Sequence, residues 1–551
     1  LLNDRKIDNI NFIFEIQNKD LDINDLNFTY EKLNFISKKI ELRIKDNFVN
    51  VEGEINNNEV NLSEELLNNF FNPSFNLNLK NLRFSSNNKF LFKISDKFKI
   101  LDYKIKSSLN INELSVRNNI DLKNIFPNFS SETKFNNHQI EMIVKKDYFL
   151  IDGNGEFLIQ KNYDKASYKI EKKKDTHSFD IKLDFINNYV NLDLLDYKSD
   201  SKSEMSLYLN GKFFKDKTLN LEKIEFKNGS DLIIIKKLKL SNDFKISDVK
   251  SATFNFTDSK NIKNIFKIKN NKDDYTISGK VYNASKLIED LIFEDSKNKD
   301  IFDKDLTLKL DLKKVYLHDD HVVYDLTGNL KFIDNNLTNA NINSKFNDNE
   351  RIIFTIISND DQKVTTLFSD QAKPFVKKFD FIKGFEKGSL DFYSVKSKDI
   401  TNSKLKIYDF KLQEIPALTK ILTLASLQGI ADLLSGEGIR FSEFEMNFQN
   451  KNRLMTIDEI YAIGPAISIL MEGYIEKSKL ISLRGTLVPA TTINKVIGSI
   501  PLIGDILVGK KTGEGVFGVS FKIKGPPKKL ETSVNPIKTL TPRFITRTLE
   551  K

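Results

Sequence analysis

The sequence predicts a mostly β protein: a long antiparallel sheet, with short helices and an apolar helical cap towards the C-terminal end. Three observations support this. Apolar and polar residues alternate with period two along most of the 551 residues. Clusters of Asn, Asp and Gly punctuate the alternating runs. Two strongly apolar segments of helical character, Pro416 to Leu434 and Thr492 to Val508, interrupt the alternation late in the chain.

Alternation is the primary signal. Phe75, Leu77 and Leu79 fall on one side and Asn76, Asn78 and Lys80 on the other. Met205, Leu207 and Leu209 repeat the pattern, followed by Leu219 and Leu221, then Ile224 and Phe226. The cleanest run is Leu306, Leu308, Leu310 and Leu312, interleaved with Thr307, Lys309 and Asp311. Successive Cβ atoms of a strand point to opposite faces, so each run puts its apolar side chains on one face. Asn56-Asn57-Asn58, Asp152-Gly153-Asn154-Gly155, Asn210-Gly211, Asn228-Gly229 and Thr327-Gly328-Asn329 are turn signals, because Asn, Asp and Gly tolerate the positive φ of tight hairpins.

Such a sheet must cover its apolar face. Packed sandwiches would do so with a second sheet. A gutter curled around a ligand would do so with its guest. Alternation alone leaves both open, whereas a single small barrel is too short for the meander and no short repeat supports a solenoid. About thirty strands at roughly 4.8 Å would extend on the order of 140 Å, with walls of about 26 Å for strands of about eight residues. Ser63 to Asn69, Ser285 to Asp295 and Pro374 to Phe381 are short helix candidates that would protect a sheet edge or plug an end.

Composition excludes several classes. The formal charge of +9 is the difference between 85 basic and 76 acidic residues. Most of these alternate with apolar positions, as on a solvated face, and no nucleic-acid-binding motif accompanies them. Cysteine is absent, which excludes disulfides, thiolate metal sites and Cys nucleophiles. The 11 prolines are dispersed and no Pro- or Ser-rich linker divides the chain, so one continuous architecture is expected. Residues 1–20 contain neither a signal-peptide core nor a spanning segment, and the chain starts at Leu1. An N-terminal piece is expected to precede it.

From Ile415 the texture changes. Leu418, Ile421, Leu422, Ala425, Ile430, Leu433 and Leu434 lie near one side of a helix that starts at Pro416 and leaves at Gly436. Lys420, Asp432 and Gly429 argue against a membrane span. The second segment carries Ile500, Leu502, Ile503, Ile506 and Leu507 around Pro501, which should divide it. Both segments suit a cap packed on the sheet, and both suit a membrane surface or lipid entrance. Gly515 to Gly525 reads as a closing strand, and the basic tail beyond it suits either solvent or anionic headgroups.

The run Ala425-Ser426-Leu427-Gln428-Gly429-Ile430, with Leu433 to Phe441, resembles the C-terminal region of AsmA-like proteins, in particular the YhdP-type branch. Ala462 to Ala466, Gly473-Tyr474-Ile475, Arg484 to Ala490, Ile500 to Leu507, Gly513 to Phe517 and Ser533 to Pro536 continue the likeness in the family's order. It covers about 405–550, while residues 1–400 match only in texture. The resemblance implies a β-groove body over 1–400 and an AsmA-like module over 401–551. It also implies a bridge-like protein anchored in the inner membrane of a Gram-negative cell, with phospholipid moving through the periplasm to the outer membrane along an open hydrophobic groove. That favours the gutter over sandwiches and implies no catalytic residue.

The expected lining is Leu207, Leu209, Leu219, Leu221, Leu306, Leu308, Leu310 and Leu312. The expected membrane or entrance contacts are Leu418, Ile421, Leu422, Ile500, Leu502, Ile503, Ile506 and Leu507. The expected partners are phospholipid acyl chains and the two membranes, with envelope proteins as further candidates. The alternative is a periplasmic scaffold or assembly factor that offers sheet edges to outer-membrane proteins. Enzymatic chemistry, a cofactor and a metal are not expected. Gly504 to Lys510 spells G-x-x-x-x-G-K, but Lys511 stands where a phosphate-binding loop needs Ser or Thr. His318 and His321 flank Asp319-Asp320 in what reads as a hairpin turn rather than a metal site, and His138 and His177 are isolated.

Overall fold

The computed structural model describes residues 7–534 apart from the segments 68–77, 118–120, 200–203, 289–301, 377–383, 425–435 and 490–518 and gaps of one or two residues. Of 31 strands among the described residues, 29 belong to one sheet that does not close into a barrel. The chain divides into two compact units, Leu1–Lys272 with Glu289–Lys304, and Asp273–Ile288 with Asp305–Lys551. Residue 400, the boundary suggested by the sequence, lies inside the second unit. It opens the strand Ile400–Leu412, which pairs with Glu386–Ser397 and with Ile439–Lys451.

In the first unit, strands from Ile7–Gln17 to Lys263–Asn270 pair antiparallel in sequence order. A small ribbon, Asn191–Leu192 with Tyr197–Lys198, is inserted into this order. In the second unit the same meander runs from Leu306–His318 onward, but its first pair is different. Tyr275–Asn283 and Leu306–His318 are parallel, with Ile277 opposite Leu310. A parallel pair needs a long crossover, which residues 284–305 supply.

The strands are longer than the sequence pattern suggests. Asn78–Ser95 and Ile100–Arg117 each run 18 residues. Alternation underestimates them because its parity shifts within a strand. In Asp20–Tyr30 the apolar set is Leu21 and Ile23, then Leu26, Phe28 and Tyr30, and Asp25 between them has φ +51°. Ile233 and Ile235 give way to Leu238 and Leu240 across Lys237, also at φ +51°. Leu405 and Ile407 give way to Phe410 and Leu412 across Asp409 at the same angle. At each of these sites one residue of positive φ flips the parity while the register with the following strand is kept, so the strand keeps its apolar side chains on one face.

Four of the five turn signals are overturned. Asn56 to Asn58, Asp152 to Gly155, Asn210-Gly211 and Thr327 to Asn329 all lie inside strands. Asn228-Gly229 does turn: a strand ends at Asn228, Gly229 has φ +55°, and the next strand starts at Asp231. His318 and His321 also close a hairpin and pair directly across it.

Charged residues populate the opposite face. Lys404 and Lys406 both reach Glu445, at 2.8 and 3.1 Å. Burial pushes Glu445 upward, but Lys404, Asn447 and Lys406 outweigh it and hold the carboxyl at about 2. Near-balanced charge on the sheet's polar face accounts for the small net charge of so ionic a chain.

Candidate apolar groove

Residues paired across neighbouring strands share a face, so the register traces rows of side chains across each unit. In the first unit one row passes through Ala166, Leu183, Leu207, Phe226, Ile233, Phe254 and Phe266. A parallel row holds Tyr168, Ile181, Leu209, Ile224, Ile235, Ala252 and Ile268. In the second unit a row runs from Ile277 through Leu310, Gly328, Ile342, Phe354, Leu367 and Phe392, then through Leu405, Met446, Ile460, Met471, Gly485 and Phe521 to Val534. No charged residue interrupts it.

All eight residues expected to line a groove fall on these apolar faces. Leu207, Leu209, Leu219 and Leu221 belong to the first unit and Leu306, Leu308, Leu310 and Leu312 to the second. Leu221, Leu306 and Leu312 are buried, whereas Leu207, Leu209, Leu219, Leu308 and Leu310 are only partly covered. Among the described residues no second large sheet packs on either face. The same rows also hold fully covered side chains, among them Phe226, Ile233, Phe254 and Phe266.

Cover is supplied at particular places. In the first unit Tyr197 stands edge-on to Phe226 and Phe256, at 5.6 and 5.9 Å between ring centres, and Phe126 packs on Phe185. Leu67 closes over Leu33, Leu62 and Leu82. In the second unit the helix Pro416–Leu424 buries Leu418, Ile421 and Leu422 against Ile439, Phe441, Ile469, Leu487 and Phe521. Phe410 stacks between Phe385 and Phe441, 5.3 Å from each. Over the described part of this segment, Leu418, Ile421 and Leu422 pack into the core against the sheet, and Leu424 is the large apolar residue of the helix left exposed. Ile500, Leu502, Ile503, Ile506 and Leu507, and the glycine-lysine run at 504–510, lie outside the described residues.

The apolar face of the first unit has polar members that sequence reasoning did not assign to it. Asn57, Ser86, Asn88 and Ser107 occupy apolar-parity positions on three adjacent strands. Asn88 donates to the Ser86 hydroxyl at 2.7 Å and to the Ile55 carbonyl at 3.2 Å, and Ser86 bonds Asn57. His138, Tyr168, Lys172 and His177 follow on later strands. Their signal was present in the alternation, since His138 precedes Ile140, Met142 and Val144 at the same parity. Buried Asp164 sits at the far end of the strand Tyr163–Lys173.

Among the described residues no group of acidic, His or Cys side chains is arranged to hold a metal. No helix among them is long and apolar enough to cross a membrane. The chain matches no known protein family, and no curated protein matches it in sequence.

Proposed function

We propose that this chain is a conduit for phospholipid acyl chains, working between the inner and outer membranes as the AsmA-like resemblance implies. One observation carries the proposal: in each unit, rows of apolar side chains continue from strand to strand on a face that no second sheet covers. An acyl chain on such a face gains about 0.8 kcal/mol per buried methylene. Successive rows offer nearly equivalent burial, so movement between them costs little. Nothing in such a lining supplies direction or energy. The periplasm is the compartment this reading requires, and no catalytic step is part of it.

A photo-crosslinking residue at Leu207 or Leu310, compared with one at the outward-facing Tyr208 or Lys309, tests the proposal in cells. Lipid adducts confined to the inward positions are expected. Polypeptide adducts there would instead support a scaffold for outer-membrane proteins. That second reading has one feature in its favour, the strand Ile7–Gln17, where Ile10, Phe12, Ile13, Phe14 and Ile16 are all exposed. Among the described residues it pairs with Asp20–Tyr30, and an apolar strand of this kind suits strand addition.

A further inference from the structure

Lys172 and His177 are cross-strand partners beside the hairpin formed by Lys173 and Thr176. Both have the apolar parity of their strands: Lys172 follows Tyr168 and Ile170, and His177 precedes Phe179 and Ile181. Phe149 is paired with Lys172 on one side and Phe213 with His177 on the other. The Phe149 and His177 rings lie 6.0 Å apart. The two basic groups therefore stand at one end of the strands, with apolar side chains beside them and apolar rows extending away from them.

Neither group is satisfied as a basic residue ordinarily is. Lys169 and Lys173, on the opposite face, pair with Asp152 and Glu171. Lys172 is partly covered and has no ion-pair partner among the described residues, and Nδ1 of His177 is buried without a hydrogen-bond partner. An uncompensated cation on an apolar surface is costly, and an anion with an apolar body would relieve that cost. Burial, and then Lys172, holds the His177 imidazole below its usual value. A neutral ring can still donate one N–H while Lys172 carries the charge.

We propose that Lys172 and His177 form a headgroup site for a phosphate-bearing anionic lipid whose acyl chains lie over Ile170, Phe179 and Leu209. This rests on the conduit reading and adds a fixed position to it. A lipid in transit pauses with its phosphate at the strand ends and its tails on the apolar rows.

The chain has four histidines, so selective labelling of histidine in the full chain yields a spectrum simple enough to read, with His177→Gln assigning the resonance. Three probes distinguish the sources of the chemistry: monomeric dihexanoylphosphatidylglycerol, inorganic phosphate at the same concentration, and dihexanoylglycerol, which has tails but no anion. The phosphatidylglycerol should shift the His177 signal. Lys172→Gln should weaken its binding by about 5- to 10-fold, the scale of one charge-assisted contact, and change dihexanoylglycerol binding by no more than about twofold. An unmoved His177 signal at saturation, or equal affinity in Lys172→Gln, overturns the site while leaving the conduit reading intact. An equal shift with inorganic phosphate overturns the lipid assignment. Binding of neither lipid overturns the conduit reading itself.

Discussion

Tyr168 donates its hydroxyl to Nδ1 of His138 across 3.0 Å, and Nε2 of the same ring donates to the Glu156 carbonyl at 2.9 Å. A carbonyl only accepts, so the tautomer follows: Nε2 carries the proton and Nδ1 receives. Burial lowers His138 and raises Tyr168 to about 12, which leaves both neutral. Two glycines make room for the pair. A Cβ on Gly155 would lie 2.4 Å from the imidazole, and one on Gly153 would lie 2.8 Å from the Tyr168 ring. Tyr168→Phe should cost about 1–3 kcal/mol, because it strands a buried acceptor. Urea unfolding of the full chain would measure that cost, and Gly155→Ala should also destabilise by displacing the ring.

His138 should make stability fall in mild acid. Its folded pKa lies below the ordinary 6.5, so the unfolded chain takes up the proton first. The favourable contribution is present above about pH 6.5 and is lost as pH falls towards the folded value. His138→Gln should flatten the urea midpoint across this window, and an unchanged slope would show that the pair does not govern it.

Asp164 should act with the opposite sign. It is fully buried, and burial pushes its carboxyl up to about 6 despite hydrogen bonds from the Ile186 amide, at 2.7 Å, and from Asn188. Its folded pKa exceeds the ordinary 3.8, so its contribution is fully present below about pH 3.8 and fades as pH rises through about 6. Asp164→Asn keeps an acceptor for the amide and removes the titration. Relative to the parent chain, the variant should gain stability between pH 4 and pH 7, as read from urea midpoints at each pH.

The difference between what could and could not be read from the sequence has a physical cause. Leu306 to Leu312 showed their face because no bulge falls among them. Leu219 to Phe226 looked like two short strands because parity slips near Glu222, yet Leu219–Asn228 is one strand. Gly153 and Gly211 looked like turns, but each is a strand residue facing a bulky neighbour: the Tyr168 ring for the first and Phe179 for the second. That requirement belongs to the adjacent strand and leaves no local trace. The parallel pairing of Tyr275–Asn283 was hidden for the same reason, since alternation does not specify strand direction.

Removing part of the helical cap should be costly, in contrast to changes on its exposed side. Leu422 is completely buried and Leu424 is 52% exposed, two residues apart on the same helix. Leu422→Ala should destabilise by about 2–5 kcal/mol, through lost transfer energy and the cavity left behind. Leu424→Ala should stay within about 0.5 kcal/mol, as surface substitutions do. Comparable losses from both would mean that the helix does not seat on the sheet by the face described.

A carboxylate placed on the lining tests the conduit most directly. Leu308 and Leu209 are partly covered members of apolar rows in different units, so aspartate at either site keeps access to water and should leave the fold intact. An acyl chain crossing that position must desolvate the charge or step around it. A penalty of about 1.4 kcal/mol, modest for such desolvation, would slow transfer about tenfold. Leu308→Asp and Leu209→Asp should therefore each reduce lipid transfer between membranes at unchanged circular dichroism and expression. Outward-facing Lys309→Asp should leave transfer unaffected. Normal transfer by both folded lining variants would reject the conduit.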